Sequence, residues 1–241
     1  MTVRIAMWSG PRNISTAMMR SFENRPDCQV VDEPFYAAYL AETGLDHPMR
    51  DEVLASQPQD WSDVVTGLDA LGGPVVYEKH MAHHMLPGFG LDWAGTRANA
   101  FLIRDPAEVL ASYTVKRAEV TLEDIGVVQQ RELFDREADR LGRAPPVLRG
   151  ADVLADPRGA LSGLCGALSI PFDEAMLRWP AGRRGSDGVW APAWYDAVER
   201  STGFEAPREK AAPQLSEDLR RIADQARPHY EALLAHRLSP A

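Results

Sequence analysis

The opening thirty residues constrain the chain more than any other stretch. Val3 to Trp8 is a short apolar run with the look of a buried strand. Ser9-Gly10-Pro11-Arg12-Asn13-Ile14 breaks it. Ser15 to Phe22 then carries helical spacing, with Met18, Met19 and Phe22 on one face. Cys28 to Val31 is a second apolar run, closed by Asp32-Glu33-Pro34. Two strands around one helix in so short a span demand a crossover connection, and so predict a parallel sheet. The expected fold is α/β, a three-layer sandwich with a central parallel sheet.

The rest of the chain continues the pattern. Helical turns are expected from Phe35, a loop over 47–60, a helix from Trp61 to Leu71 and a break at Gly72-Gly73-Pro74. Val75-Val76-Tyr77 reads as a third strand that delivers Glu78, Lys79 and His80 at its end. Asn99 to Ile103 is a fourth strand and Pro146 to Leu148 a fifth. Between them Asp105-Pro106 reads as a helix cap followed by an N1 proline, with helices over 108–117 and 122–141. Further helices are expected over 158–168, 173–178, 190–201 and 214–236, with a basic, glycine-rich loop over 180–188. Without repeats or a linker, residues 1–241 read as one domain.

Composition narrows the function. The formal charge is −9, from 35 acidic and 26 basic residues, which disfavours nucleic acid and anionic membrane as partners. No apolar stretch reaches the length of a membrane span and the N-terminus does not resemble a signal peptide, so a cytoplasmic protein is expected. Cys28 and Cys165 stand in apolar segments and read as reduced, buried thiols.

The first loop carries the chemistry. A loop between a first strand and its helix offers free backbone N–H groups and the positive end of the helix dipole. Arg12 adds a planar fork; Ser15 and Thr16 add hydroxyls. The group suits a terminal phosphate or sulfate. It lacks the Gly-Lys-Ser/Thr of a Walker loop and the glycines of a dinucleotide fingerprint.

Three segments resemble one family. Pro11-Arg12-Asn13-Ile14-Ser15-Thr16 is similar to the 5'-phosphosulfate loop of sulfotransferases that use 3'-phosphoadenosine 5'-phosphosulfate (PAPS), with Arg12 where many members have Lys. Ile103-Arg104-Asp105-Pro106, with Ser112 eight residues after Arg104, resembles their 3'-phosphate site. Arg183-Arg184-Gly185-Ser186-Asp187-Gly188-Val189-Trp190 resembles their late Arg-Lys-Gly-x-x-Gly-Asp-Trp loop. The resemblance, to the bacterial type, implies a P-loop NTPase-like fold of the sulfotransferase type and sulfuryl transfer from PAPS to a hydroxyl of a small-molecule or carbohydrate acceptor, without metal. It implies donor contacts at Arg12, Asn13, Ile14, Ser15, Thr16, Arg104, Ser112, Arg183, Arg184 and Gly185.

Two residues compete as base. Glu33 lies in a Glu-Pro segment like that of bacterial and carbohydrate sulfotransferases. His80, in Glu78-Lys79-His80, resembles the catalytic histidine of the cytosolic enzymes. Both are expected to face the acceptor from strand ends, with the acceptor pocket shaped by residues 36–61 and 85–96. His80, His83 and His84 lack acidic partners at metal-site spacing. A nucleotide-dependent kinase on a P-loop fold and a noncatalytic nucleotide-binding or interaction protein stay open as alternatives, as does an oligomer.

Overall fold

A computed structural model of the chain describes residues 2–114, 119–206 and 213–238. Among them five strands form one parallel sheet, in the order β2-β3-β1-β4-β5. The strands are β1 (Val3–Ser9), β2 (Cys28–Asp32), β3 (Val75–Met81), β4 (Ala98–Ile103) and β5 (Val147–Arg149).

Side chains alternate across the pleat, and the two faces build separate cores. Ile5 and Met7 of β1, Tyr77 of β3 and Leu102 of β4 bury one face. Helix α1 (Ser15–Glu23) covers it with Met18, Met19 and Phe22. Helices α7 (Gly150–Ala155) and α8 (Pro157–Ala167) complete that layer, through Val153, Leu161 and Leu164. Ala6, Trp8, Phe101 and Ile103 point the other way. They are covered by α4 (Trp61–Ala70), α5 (Pro106–Tyr113), α6 (Val127–Leu141) and α11 (Glu217–Leu234). This is the expected helix–sheet–helix sandwich.

A third cluster, built on α2 (Tyr36–Thr43) and α3 (Arg50–Ser56), packs against Trp190 and the short helices α9 (Ala191–Trp194) and α10 (Asp196–Glu199). Helix α3 lies where a loop was expected: its one buried residue is Val53, with only Leu54 packed half-buried beside it, so no periodicity betrays it. α7 was also missed. The stretch expected as one helix over 122–141 is a 3-10 turn and then α6, divided by Gly126 at φ +68°. Helix α5 ends at Tyr113, and residues 115–117 of the expected 108–117 helix lie outside the described residues. The Asp105 cap and N1 Pro106 are as expected, Asp105 accepting from the Ala107 N–H at 2.9 Å.

β3 runs on to Met81, so Glu78, Lys79 and His80 are inside the strand and buried. Strand alternation then sends Lys79 to one face and Glu78 and His80 to the other.

Candidate active site

Strand β1 stops at Ser9 because the chain must turn sharply. Gly10 lies so close to the next layer that a Cβ there would meet the Ile125 carbonyl oxygen at 2.5 Å. Arg12 then takes φ +54°, a left-handed conformation uncommon for a side chain of its size. Asn13 holds the turn: its Nδ2 donates to the Leu102 carbonyl at 3.0 Å, and its Oδ1 accepts from the Ile14 N–H at 2.9 Å. Helix α1 begins behind Ile14 with no side-chain cap and no acid in its first turn. The N–H groups and the positive end of this helix are left for a ligand.

These residues open on a cleft of about 360 Å³ lined by residues 11–17, Glu33, Lys79, Arg104 and Ser112, among others. All five loop positions expected to bind the donor, Arg12 to Thr16, line it, as do Arg104 and Ser112. Arg12 Nε donates to Ser112 Oγ at 3.0 Å, and Arg104 Nη1 donates to the Arg12 carbonyl. The spacing of Arg104 and Ser112 therefore has a geometric meaning: the strand end and the α5 face both reach the first loop. Burial and the like charge of Arg104 hold the Arg12 guanidinium below its ordinary value. Among the described residues no carboxylate pairs with Arg12. Arg104 shares its Nε with Glu108 at 3.0 Å.

The opposite wall holds the acid. Glu33, with 8% of its surface exposed, accepts from Lys79 Nζ at 2.7 Å. Lys79 also donates to Asp32 Oδ1 at 2.8 Å and to the Tyr195 hydroxyl at 2.6 Å. Burial pushes the Glu33 carboxyl up and the Asp32 charge adds to it, against the downward pull of Lys79. Desolvation opposes the Lys79 ammonium, yet the charges of Asp32 and Glu33 hold it well above its usual value. The residue before a proline ordinarily adopts extended geometry, but Glu33 does not. It instead sits at φ +39°, a strained conformation of the kind found at functional sites.

Beyond Glu33 the cleft is lined by rings. His84 is sandwiched between Tyr36 (4.7 Å between centroids) and Tyr39 (4.8 Å), and the Tyr36 hydroxyl bonds His47 Nδ1 at 2.9 Å. Burial, and then the nearby His83, His47, Lys79 and His80, push His84 well below its ordinary value, so its ring is neutral. Residues 85–96, expected to shape this pocket, contribute no lining side chain; Trp194 to Glu205 do so instead.

Two expectations are corrected. His80 does not face the cleft. It is buried on the other face of the sheet, stacked on Trp8 at 4.6 Å and bonded to Glu78 at 3.1 Å. The Glu78-Lys79-His80 run at the end of an apolar stretch is what misled: the strand is longer than its apolar run, so alternation separates Lys79 from His80. Arg183, Arg184 and Gly185 do not line the cleft either. Their loop is tied to the far end of α1, where Asp187 meets the buried Arg20 at 2.6 Å and the Arg184 N–H at 2.8 Å. That is over a turn of helix, more than about 5 Å, from the ligand end of α1. Lys79, Asp32 and Tyr195 were not singled out from sequence. The signal for Lys79 was there, as a cation inside an apolar strand; Tyr195 had none. Among the described residues, no three His, Cys, Asp or Glu side chains are grouped to hold a metal ion.

Comparison with known proteins identifies the family. Residues 3–237 match the family model described as a sulfotransferase domain. Two Arabidopsis thaliana proteins, branched-chain-amino-acid aminotransferase-like proteins 1 and 2, are 36% and 34% identical over 236 residues. Each alignment covers 96% of this chain but only 42% and 41% of those proteins, so the chain spans less than half their length. The fold is similar to the sulfotransferase domain of the Synechococcus PCC 7002 olefin synthase (TM-score 0.55, 19% identity, 99% of this chain and 96% of that one). It is also similar to the sulfotransferase domain of the curacin biosynthetic pathway (0.56, 16%, 99% of both chains). Mouse sulfotransferase SULT7A1, complexed with PAP, is a third (0.56, 11%, 97% and 88%). With its family model matched from the first strand to the end of the last helix, this chain belongs to the sulfotransferase family.

Proposed function

We propose that the protein transfers a sulfuryl group from PAPS to a hydroxyl of a small-molecule or carbohydrate acceptor. The observation that carries this is Arg12: a half-buried guanidinium, beside a second one at Arg104 and in front of an uncapped helix terminus. Like charges so placed call for a multiply charged anion. The mouse protein of the same fold was solved with PAP, the product such a donor leaves.

In this reading the Arg12 fork and the α1 N–H groups stabilise the transferring group and the leaving phosphate. Arg104 and Ser112 hold the 3'-phosphate. The acceptor oxygen forms a bond to sulfur as the bond from sulfur to the 5'-phosphate oxygen breaks. Glu33 takes the acceptor proton, and 3'-phosphoadenosine 5'-phosphate (PAP) leaves. A carboxyl raised by burial is a better base than an ordinary surface acid.

Calorimetry with PAP and AMP tests the donor. PAP binds roughly ten- to a hundredfold more tightly, the worth of one or two charge-assisted hydrogen bonds. Equal affinities would overturn the assignment. Turnover persists in EDTA; an absolute magnesium requirement would instead favour the kinase reading.

A further inference from the structure

The cleft wall from Trp194 to Glu205 is separate in sequence from every strand, yet it is fastened to two of them at one buried point. Asp32 at the end of β2 accepts from the Tyr195 hydroxyl at 2.7 Å and from the Gly188 N–H at 3.0 Å. Trp190 Nε1 donates to the same hydroxyl at 3.1 Å. Gly188 is required where the segment enters, since a Cβ there would overlap the Trp190 ring at 2.1 Å.

Donor and acceptor accounting shows how full this node is. An ammonium has three protons, and Lys79 gives one each to Asp32, Glu33 and Tyr195. A phenol has one proton and two lone pairs. Tyr195 gives its proton to Asp32 and receives from Lys79 and Trp190. Both Asp32 oxygens are occupied from within the protein. Two carboxylates share one ammonium, so the geometry of any one member depends on the others. The Tyr195 hydroxyl has its proton and both lone pairs engaged and Asp32 does not line the cleft, whereas Glu33 does.

We propose that Tyr195 is a positioning residue: its hydroxyl couples the docking of the 188–205 wall to the placement of Lys79, and through Lys79 to the placement of the Glu33 carboxylate. With the wall docked, Lys79 is held by three acceptors and presents Glu33 to the cleft. Without the hydroxyl, Asp32 loses a donor, Lys79 loses an acceptor, and Glu33 is no longer held in one place. The effect on turnover rests on the reading of Glu33 as the base; the effect on Glu33 itself does not.

The test compares the wild type with Tyr195→Phe, which keeps the ring, and Asp32→Asn. The first readout is the titration of the Glu33 carboxyl by ¹³C NMR of the full chain, without nucleotide. Lys79 pulls Glu33 down and the Asp32 charge pushes it up, and a Lys79 no longer held by the Tyr195 hydroxyl pulls less. Glu33 therefore titrates at higher pH in Tyr195→Phe and at lower pH in Asp32→Asn. The second readout is turnover with PAPS. Tyr195→Phe loses roughly ten- to a hundredfold in kcat, the scale of a misplaced catalytic group, with PAP affinity within twofold of wild type. An unmoved Glu33 titration in Tyr195→Phe overturns the proposal, as does a kcat loss matched by an equal loss of PAP affinity. If the wild type transfers no sulfuryl group, the proposed reaction falls and the NMR titration alone decides the coupling. Should Asp32→Asn not fold, Tyr195→Phe decides by itself.

Discussion

Arg12 and Ser112, 100 residues apart in sequence, meet at 3.0 Å through Arg12 Nε and Ser112 Oγ. One residue belongs to the loop after β1 and the other to the body of α5, so the contact joins the two proposed phosphate sites of the donor. The bond uses the Nε edge of Arg12; none of its Nη groups is paired with a carboxylate among the described residues.

Arg12→Lys should therefore not be conservative, because a point charge cannot hold Ser112 and a ligand oxygen at once. The expected loss is about 10²-fold in kcat, comparable to removing one preorganised donor from an oxyanion site. Single-turnover kinetics with PAPS measures it. A variant within threefold of wild type would remove Arg12 from the transferring group.

Glu33→Gln and His80→Asn should separate cleanly. Glu33→Gln loses roughly 10²-fold in turnover or more, the contribution of a general base, and still binds PAP. Its stability moves the other way. Burial raises the folded carboxyl above its unfolded value, so the native state holds that proton more tightly than the unfolded chain. The resulting stability is complete below the ordinary carboxylate range and is lost as pH rises through the folded value. At neutral pH the Gln variant should melt higher than wild type. His80→Asn breaks the stack on Trp8 and should lower the melting temperature while turnover per folded molecule stays within a fewfold. Thermal melts and steady-state rates on both variants decide this.

His84 should make the fold acid-sensitive. Its folded imidazole is pushed well below the ordinary value by burial and by its positive and imidazole neighbours. The native state thus resists a proton that the unfolded chain accepts. Stability from this source is present above the unfolded value of about 6.5 and is lost as pH falls from there toward the folded value. His84→Phe keeps a ring between Tyr36 and Tyr39 and should flatten the melting temperature below neutrality. Parallel pH series of wild type and variant check it; identical slopes would refute it.

Gly10→Ala should disturb the loop from behind. The new Cβ would sit 2.5 Å from the Ile125 carbonyl oxygen, a backbone atom that cannot rotate away. A cost of about 1–3 kcal/mol is expected, typical of overpacking, together with weaker PAP binding as the loop shifts. Chemical denaturation and calorimetry measure the two effects.

Local chemistry is what the sequence by itself determined. Gly and Pro after an apolar run, and a helical face of Met18, Met19 and Phe22, specify strand, loop and helix wherever they occur. The Asp105 cap with N1 Pro106 does the same for α5. The eight-residue step from Arg104 to Ser112 is likewise local, running from the end of β4 along one short helix. So the parallel sheet, the loop after β1 and the second cation beside it were all legible. Tertiary structure alone decided which side chains share the cleft. A strand's alternation says that Lys79 and His80 part company, but only the layers packed on each face decide which of them meets Glu33. The boundary of β3 hid this, because buried ion pairs allow a strand to continue through charged residues that read as its end. Tyr195 meets Asp32 across 163 positions, and Arg184 ends beside Glu23 rather than Arg104. Both follow from where the segment after α8 docks. That docking is set by the packing of Trp190 against Tyr36 and by the saturation of one buried ammonium, neither of which has a sequence period.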